Sequence, residues 1–260
     1  MGKLRNVLFL AVLLSLVISL AACGSDQAAS KDNTVTLYIT RHGKTMLNTS
    51  DRVQGWADSP LTEPGVTVAR QLGRGLKGIP FAAAYSSDSG RAIETANLVL
   101  KESGQADVKL TTDKNLREWN FGKYEGDLNA NMWSVIMQGL GITDMKQLDM
   151  KSDMGKVADT IAASDETGQA EDWEAISTRL RTALDEISEK TAEDGGGNVL
   201  VVSHGLSISA LLQTIDPSQV PPAGLENASV TKIVYKDGTY KIESVGDMSY
   251  AEKGEKENAK

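Results

Sequence analysis

The chain has only two histidines, His42 and His204, and each ends a β-type apolar run and is followed at once by glycine. Val35, Leu37 and Ile39 lead to Arg41-His42-Gly43, and Val199 to Val202 lead to Ser203-His204-Gly205. Strand, reactive side chain, then a residue free to turn is how a chain delivers chemistry at the carboxyl edge of a sheet. Both histidines in this context point to one shared site. Val199–Val202 is apolar without alternation, so it reads as a strand buried on both faces.

The rest of the chain alternates in the same way. Leu61-Thr62-Glu63-Pro64 starts a helix, with Thr62 as cap and Val66, Ala69, Leu72 and Leu76 on one face. Phe81–Tyr85 predicts a second strand, and Ser86–Ser89 caps a helix carrying Arg91 in its first turn. A cation there opposes the helix dipole unless an anion lies nearby, so Arg91 is either a solvated charge or a phosphate ligand. Val108–Thr111 predicts a third strand. From Asp127 to Gly197 strand signals vanish, and Trp133, Ile136 and Leu140, then Trp173, Ile176, Leu180, Leu184 and Ile187, recur at helical spacing. This stretch predicts a helical insertion or cap, with a polar, mobile segment at Ser164–Ala170. Val230–Tyr235 and Tyr240–Val245 form a closing hairpin across Asp237-Gly238. The pattern predicts an α/β fold, a three-layer α/β/α sandwich with a mainly parallel sheet, over residues 34–250. A charged tail at 251–260 is expected to be disordered.

Gly73-Arg74-Gly75-Leu76-Lys77-Gly78 satisfies a dinucleotide-binding glycine pattern, but it closes a helix and follows no strand, so its glycines are read as structural. No H-E-x-x-H, H-x-E or clustered Cys/His set is present and no G-x-S-x-G elbow, so neither a metal centre nor a serine hydrolase is supported, and no cofactor is expected. A formal charge of −8 argues against nucleic acid as a partner. An anionic ligand must then be held by a local group of cations. The strand ends supply one: Arg41, His42, Arg91 and His204, with helix N-termini adding N–H donors.

At the amino terminus, Lys3 and Arg5 precede an apolar run from Val7 to Leu20, short for a spanning helix and right for a secretory leader. Leu20-Ala21-Ala22-Cys23-Gly24, holding the only cysteine, resembles the lipobox of bacterial lipoproteins. That resemblance implies a signal peptide over 1–22, lipid on Cys23, a flexible tether over 23–33, and an exported protein anchored to the outer face of a bacterial membrane. With one cysteine, no disulfide can form within the chain.

Four ordered blocks carry a wider resemblance: R-H-G-K-T-M-L-N from Arg41, S-S-D-S-G-R-A-I-E-T-A from Ser86, L-R-E-W-N-F-G-K-Y-E-G from Leu116, and V-S-H-G ending at Gly205. They resemble the histidine phosphatase superfamily, in its phosphoglycerate mutase-like branch, from about Val35 to Val245. The resemblance implies His42 as a nucleophile forming a phosphohistidine. Arg41, Arg91 and His204 are implied to hold the phosphoryl oxygens, with Asn48 and Gly205 also binding phosphate. Glu118 is implied as the proton donor to the leaving oxygen and later the base for water, which requires surroundings that keep it protonated. The expected substrate is a small-molecule phosphomonoester. Lys44 departs from the mutases, which usually carry Glu or Gln after R-H-G; it is either solvated or an added cation. The Leu116–Gly126 block is more similar to the phosphatase members, which favours hydrolysis over a phosphoglycerate mutase-type transfer or a lipid-anchored binding module. Trp56, Trp119, Tyr124 and Trp133 either line the substrate pocket or fill a core.

Overall fold

The computed structural model describes residues 33–258, so the leader, Cys23 and nearly all of the tether lie outside the described residues. Six strands form one sheet: β1 (Val35–Arg41), β2 (Phe81–Ser86), β3 (Leu110–Thr112), β4 (Gly197–Ser203), β5 (Val230–Lys236) and β6 (Thr239–Asp247), in the order β3-β2-β4-β1-β5-β6. β3, β2, β4 and β1 run parallel, and β5 and β6 close the far edge antiparallel. The hairpin turns on Asp237 and Gly238, both with positive φ, as a two-residue connection between twisted strands demands.

The central strands are apolar throughout because both faces are covered. Leu37 and Ile39 of β1, with Val199 and Val201 of β4, point into one core, while Tyr38, Leu200 and Val202 point into the other. Helices α1 (Met46–Thr49), α2 (Glu63–Gly75), α3 (Gly90–Glu102), α4 (Asn129–Leu140), α5 (Met150–Ser164), α6 (Trp173–Glu193), α7 (Gly205–Ile215) and α8 (Ser249–Asn258) complete the sandwich. Leu72 and Leu76 at the end of α2 and Ala92, Ala96, Val99 and Leu100 of α3 fill one side, and Ile176, Leu180 and Leu184 of α6 with Ile208 and Leu211 of α7 fill the other. Thr62 caps α2 by accepting Gly65 N–H at 3.2 Å.

Three expectations are corrected. The stretch 127–197 is helical, but α6 packs against β1 and β4 and belongs to the sandwich itself; only α4 and α5 stand apart from the sheet. The segment after Ser164 is built around a buried residue. The Asp165 carboxylate accepts N–H bonds from Lys123, Thr167, Gln169 and Ala170 and the Thr167 hydroxyl. Burial pushes its pKa up, yet these donors hold it well below the usual carboxylate range. The charged tail is also ordered through Asn258: α8 lies on α2, with Ala251 and Gly254 buried. Arg74 Nε donates to Gly254 O at 3.0 Å and Lys253 Nζ to Gly75 O at 3.2 Å.

Small residues make that crossing. A Cβ on Gly75 would stand 1.8 Å from Tyr250 O, and one on Gly254 would stand 1.8 Å from Gln71 O. The glycine-rich end of α2 therefore serves packing. Alanine in a helix gains about 1 kcal/mol over glycine, but here it meets backbone, which cannot swing aside. Gly254→Ala should lower unfolding free energy by about 1–3 kcal/mol, the usual range for overpacking, measured as a reduced urea midpoint with an unchanged slope.

Candidate active site

The register of β1 on β4 builds the centre of the site. Arg41 pairs with Ser203, and His42 N–H continues the ladder to Ser203 O at 3.0 Å, so the next residues on the two strands are both histidines. Their ring centroids are 5.2 Å apart at 61°. His42 Nδ1 lies 2.8 Å from Gly43 O, an acceptor only, so Nδ1 carries the proton and Nε2 the lone pair. His204 has the opposite tautomer: Arg91 Nη2 donates to its Nδ1 at 3.0 Å, which leaves the proton on Nε2.

Arg91 is no solvated charge: its side chain is fully buried. It is ion-paired to Asp58 at 2.9 Å and donates to Gly55 O at 2.7 Å and Ala57 O at 3.0 Å. Asp58 also takes Gly90 N–H at 2.6 Å at the start of α3, supplying the anion that a cation in a first turn requires. The loop holding Arg91 is in turn pinned by Glu125, whose carboxylate accepts the N–H groups of Gly55, Trp56, Ala57 and Phe121. Gly55 has no space for a side chain there, since a Cβ would lie 2.1 Å from Trp119 O.

Three buried donors on these residues have no hydrogen-bond partner: Arg41 Nε, Arg91 Nε and His204 Nε2. Unpaired buried donors are costly and mark a place where a ligand supplies the acceptors. Arg41 is oriented by donating through Nη1 to Leu225 O. Gly205 opens α7 directly after His204.

Glu118 lies on the loop that crosses the end of β4, where Ser203 Oγ donates to Leu116 O at 2.9 Å. Its carboxyl is 7% exposed and sits at the start of α7. Oε1 accepts Ser207 N–H at 2.9 Å and Trp119 N–H at 3.1 Å, and Oε2 accepts Leu206 N–H at 3.1 Å. The surroundings are thus rich in hydrogen-bond donors. Ser207 accommodates either state, because its one hydroxyl proton can go to Glu118 Oε1 or to Arg117 O, each at 2.8 Å.

A cavity of about 250 Å³ opens beside Arg41 and Glu118. Arg41, Asn48, Glu118 and Gly205 line its base; Val53, Phe121, Met132, Trp133, Leu206 and Leu225 form apolar walls, with Arg52, Gln54 and Asn129 among them. Asn48 receives Thr45 N–H at 3.2 Å on its amide oxygen, so its amide nitrogen is the end left for a ligand. A second hollow, between Trp56, Asp88 and Arg117, reaches His204 and Glu118 from the other side. Lys44 is exposed and lines neither. The aromatics divide: Trp119 and Tyr124 are core, Trp133 is cavity wall, and Trp56 is 45% exposed with the Arg117 guanidinium stacked 4.6 Å above its ring. The sequence places Asp58 in a polar, active-site-like loop but does not pair it with Arg91, and it assigns no role to Glu125, Arg52 or Ser207. The signal for Asp58 was present: a cation at a helix start needs a partner. Among the described residues, no cluster of His, Cys, Asp or Glu could hold a metal ion.

The paired strand-end histidines, the buried arginines and the three-layer sandwich define a class of phosphoryl-handling proteins. Residues 37–248 match the model of the histidine phosphatase superfamily (branch 1), and the chain belongs to this family. It is similar to the crystal structure of a phosphoglycerate mutase from Bacillus anthracis str. Sterne, with a TM-score of 0.83 and 59% identity, covering 86% of this chain and 98% of that one. Bacillus stearothermophilus YhfR is 32% identical with a TM-score of 0.65, over 84% of this chain and 99% of that one. The 2,3-bisphosphoglycerate-dependent phosphoglycerate mutase 2 of Gloeobacter violaceus is 30% identical over 78% of this chain and 88% of its own length.

Burial drives both histidine pKa values well below the ordinary 6.5, with further lowering of His42 by Arg91 and Arg41, and of His204 by Arg91 and His42. Between the lowered folded values and 6.5 the unfolded chain binds more protons, so stability is full above 6.5 and falls as pH drops below it. His204→Gln removes one of the two groups. Its urea midpoint should therefore fall less than the parent's between pH 7 and pH 5, the slopes differing by up to about 1.4 kcal/mol per pH unit.

Proposed function

We propose that the chain hydrolyses phosphomonoesters in two steps through a phosphohistidine on His42. The observation that carries this is a set of three unpartnered buried donors, Arg41 Nε, Arg91 Nε and His204 Nε2, on the residues grouped with His42, an imidazole whose Nδ1 is tied to Gly43 O. In the first step His42 Nε2 attacks phosphorus, the P–O bond to the alcohol breaks, and Glu118 passes a proton to the leaving oxygen. Charge gathering on the equatorial oxygens is met by the arginines and by His204 Nε2–H, the dominant stabilisation in phosphoryl transfer. In the second step Glu118, now a carboxylate, takes a proton from water as its oxygen attacks phosphorus. The N–P bond breaks and inorganic phosphate leaves. The lowered His42 pKa supports this role, since the nucleophile stays neutral into mildly acidic solution.

A mutase-type transfer shares the first step and differs in the acceptor, a second alcohol in place of water. It is supported by the mutase names of several relatives. Hydrolysis is supported by the walls of the cavity: among the described residues, six apolar side chains and, besides Arg41, Arg52 as the single lining cation suit a less anionic alcohol than a carboxylate-bearing phosphoglycerate. Residues 1–23 carry the further proposal that the enzyme is exported and held at the membrane by lipid on Cys23.

The test is product analysis with protein starting at Thr34. p-Nitrophenyl phosphate should release inorganic phosphate with EDTA present, and His42→Ala should lose at least about 10³ in kcat/KM. Glu118→Gln should cost roughly 10²–10⁴ on alkyl phosphates. Conversion of 3-phosphoglycerate into its 2-isomer without phosphate release would replace hydrolysis by the mutase reading.

A further inference from the structure

Glu118 stands on a stretch, residues 117–121, that belongs to no helix or strand. Trp56 Nε1 donates to Glu118 O at 3.1 Å and Ser207 Oγ to Arg117 O at 2.8 Å, but the side chain that gathers the most carbonyls here comes from α6. Arg179, on α6, has five N–H donors in a fixed plane, and all five are used. Nε donates to Glu171 Oε1 at 2.7 Å and Nη2 to Glu171 Oε2 at 2.8 Å. Nη2 also reaches Glu118 O at 3.0 Å, while Nη1 reaches Asn115 O at 2.9 Å and Arg117 O at 2.7 Å. Glu171 closes the clamp: its carboxylate accepts Asn120 N–H at 2.9 Å, and its own N–H donates to Asn120 O at 3.0 Å. Both side chains are only 13–14% exposed, so water competes weakly for these bonds.

We propose that Arg179, clamped by Glu171, is a positioning residue for proton transfer at Glu118. The clamp holds the carbonyl of Glu118 itself and those of its neighbours, so the loop cannot shift without moving the carboxyl. The phosphoryl pocket makes no direct bond to the clamp: Arg41, His42 and His204 follow strands β1 and β4, and Arg91 is fixed by Asp58 and the 55–57 loop, which Glu125 pins and which meets the Glu118 stretch through Trp56 Nε1 and Glu118 O. Loosening the clamp therefore misplaces the acid and spares the nucleophile. The proposal rests on the reading of Glu118 as general acid.

Leaving groups separate such a defect from a general loss of structure. p-Nitrophenolate departs as a stabilised anion and has little need of a proton, whereas benzyl alcohol must be protonated as it leaves. Arg179→Lys keeps the positive charge near His204 but offers a point cation in place of the planar fork. With purified full-length protein, kcat/KM for benzyl phosphate should fall about 30- to 100-fold, as a misplacement of about 1 Å can cost. For p-nitrophenyl phosphate it should fall by less than about 3-fold. Glu171→Gln, which keeps four of the five bonds of Arg179 intact, should shift the same ratio in the same direction and carries the test if Arg179→Lys does not fold. Equal losses on both substrates would overturn the proposal, leaving Arg179 a purely structural residue. Glu118→Gln run beside them is the reference: if it shows no leaving-group selectivity, the acid assignment itself falls, and the proposal with it.

Discussion

A parallel ladder that sets Arg41 opposite Ser203 is the constraint on which the site depends. Because the register is fixed by two apolar strands buried on both faces, slipping it by one residue would send every core side chain to the wrong layer. The same register carries the two histidines to adjacent positions at the carboxyl edge. The rings are brought within 5.2 Å by pairing that the core enforces, with no contact of their own needed. His42, the proposed nucleophile, is thus positioned by the most strongly specified part of the fold.

Burying cations beside those rings is costly, and the protein offsets it in a definite order. Arg91 is neutralised by Asp58 and by carbonyls of the 55–57 loop, and that loop is held by the carboxylate of Glu125 through four N–H bonds. The guanidinium is thereby held with its Nε donor unspent. Positive charge and lack of water then keep both imidazoles neutral, which the chemistry of a nitrogen nucleophile requires. Glu118 is treated differently: it meets the donors of a helix start, with Ser207 able to turn its proton toward or away from the carboxyl.

Much of this was legible in the chain. Strand runs, the Thr62 cap and the Asp237-Gly238 turn all rest on local patterns, and local patterns suffice where backbone geometry is decided by neighbours in sequence. The tail was misread because charge dominates Tyr250 to Lys260, while the contact is made by Ala251 and Gly254, whose smallness matters only once α2 presents Gly75 to them. Ser164–Ala170 was misread for a similar reason. Its polarity suggests mobility, yet one buried carboxylate gathers its N–H groups into a fixed turn. The lone α6 stripe gave no sign that this helix covers the sheet while α4 and α5 do not.

By itself the sequence determined which residue types meet at the catalytic edge: two histidines after two strands, an arginine before one of them and another at a helix start. Strand position is a local property, and parallel strands share an edge, so the juxtaposition follows without coordinates. Only the tertiary structure decided which nitrogen of each ring is free, what neutralises Arg91, and what holds Glu118. Those depend on Gly43 O, Asp58, Glu125, Ser207 and Arg179, and apart from Gly43 each contact joins residues distant in the chain. Hydrogen bonds are satisfied in space, and no periodicity along the chain records them.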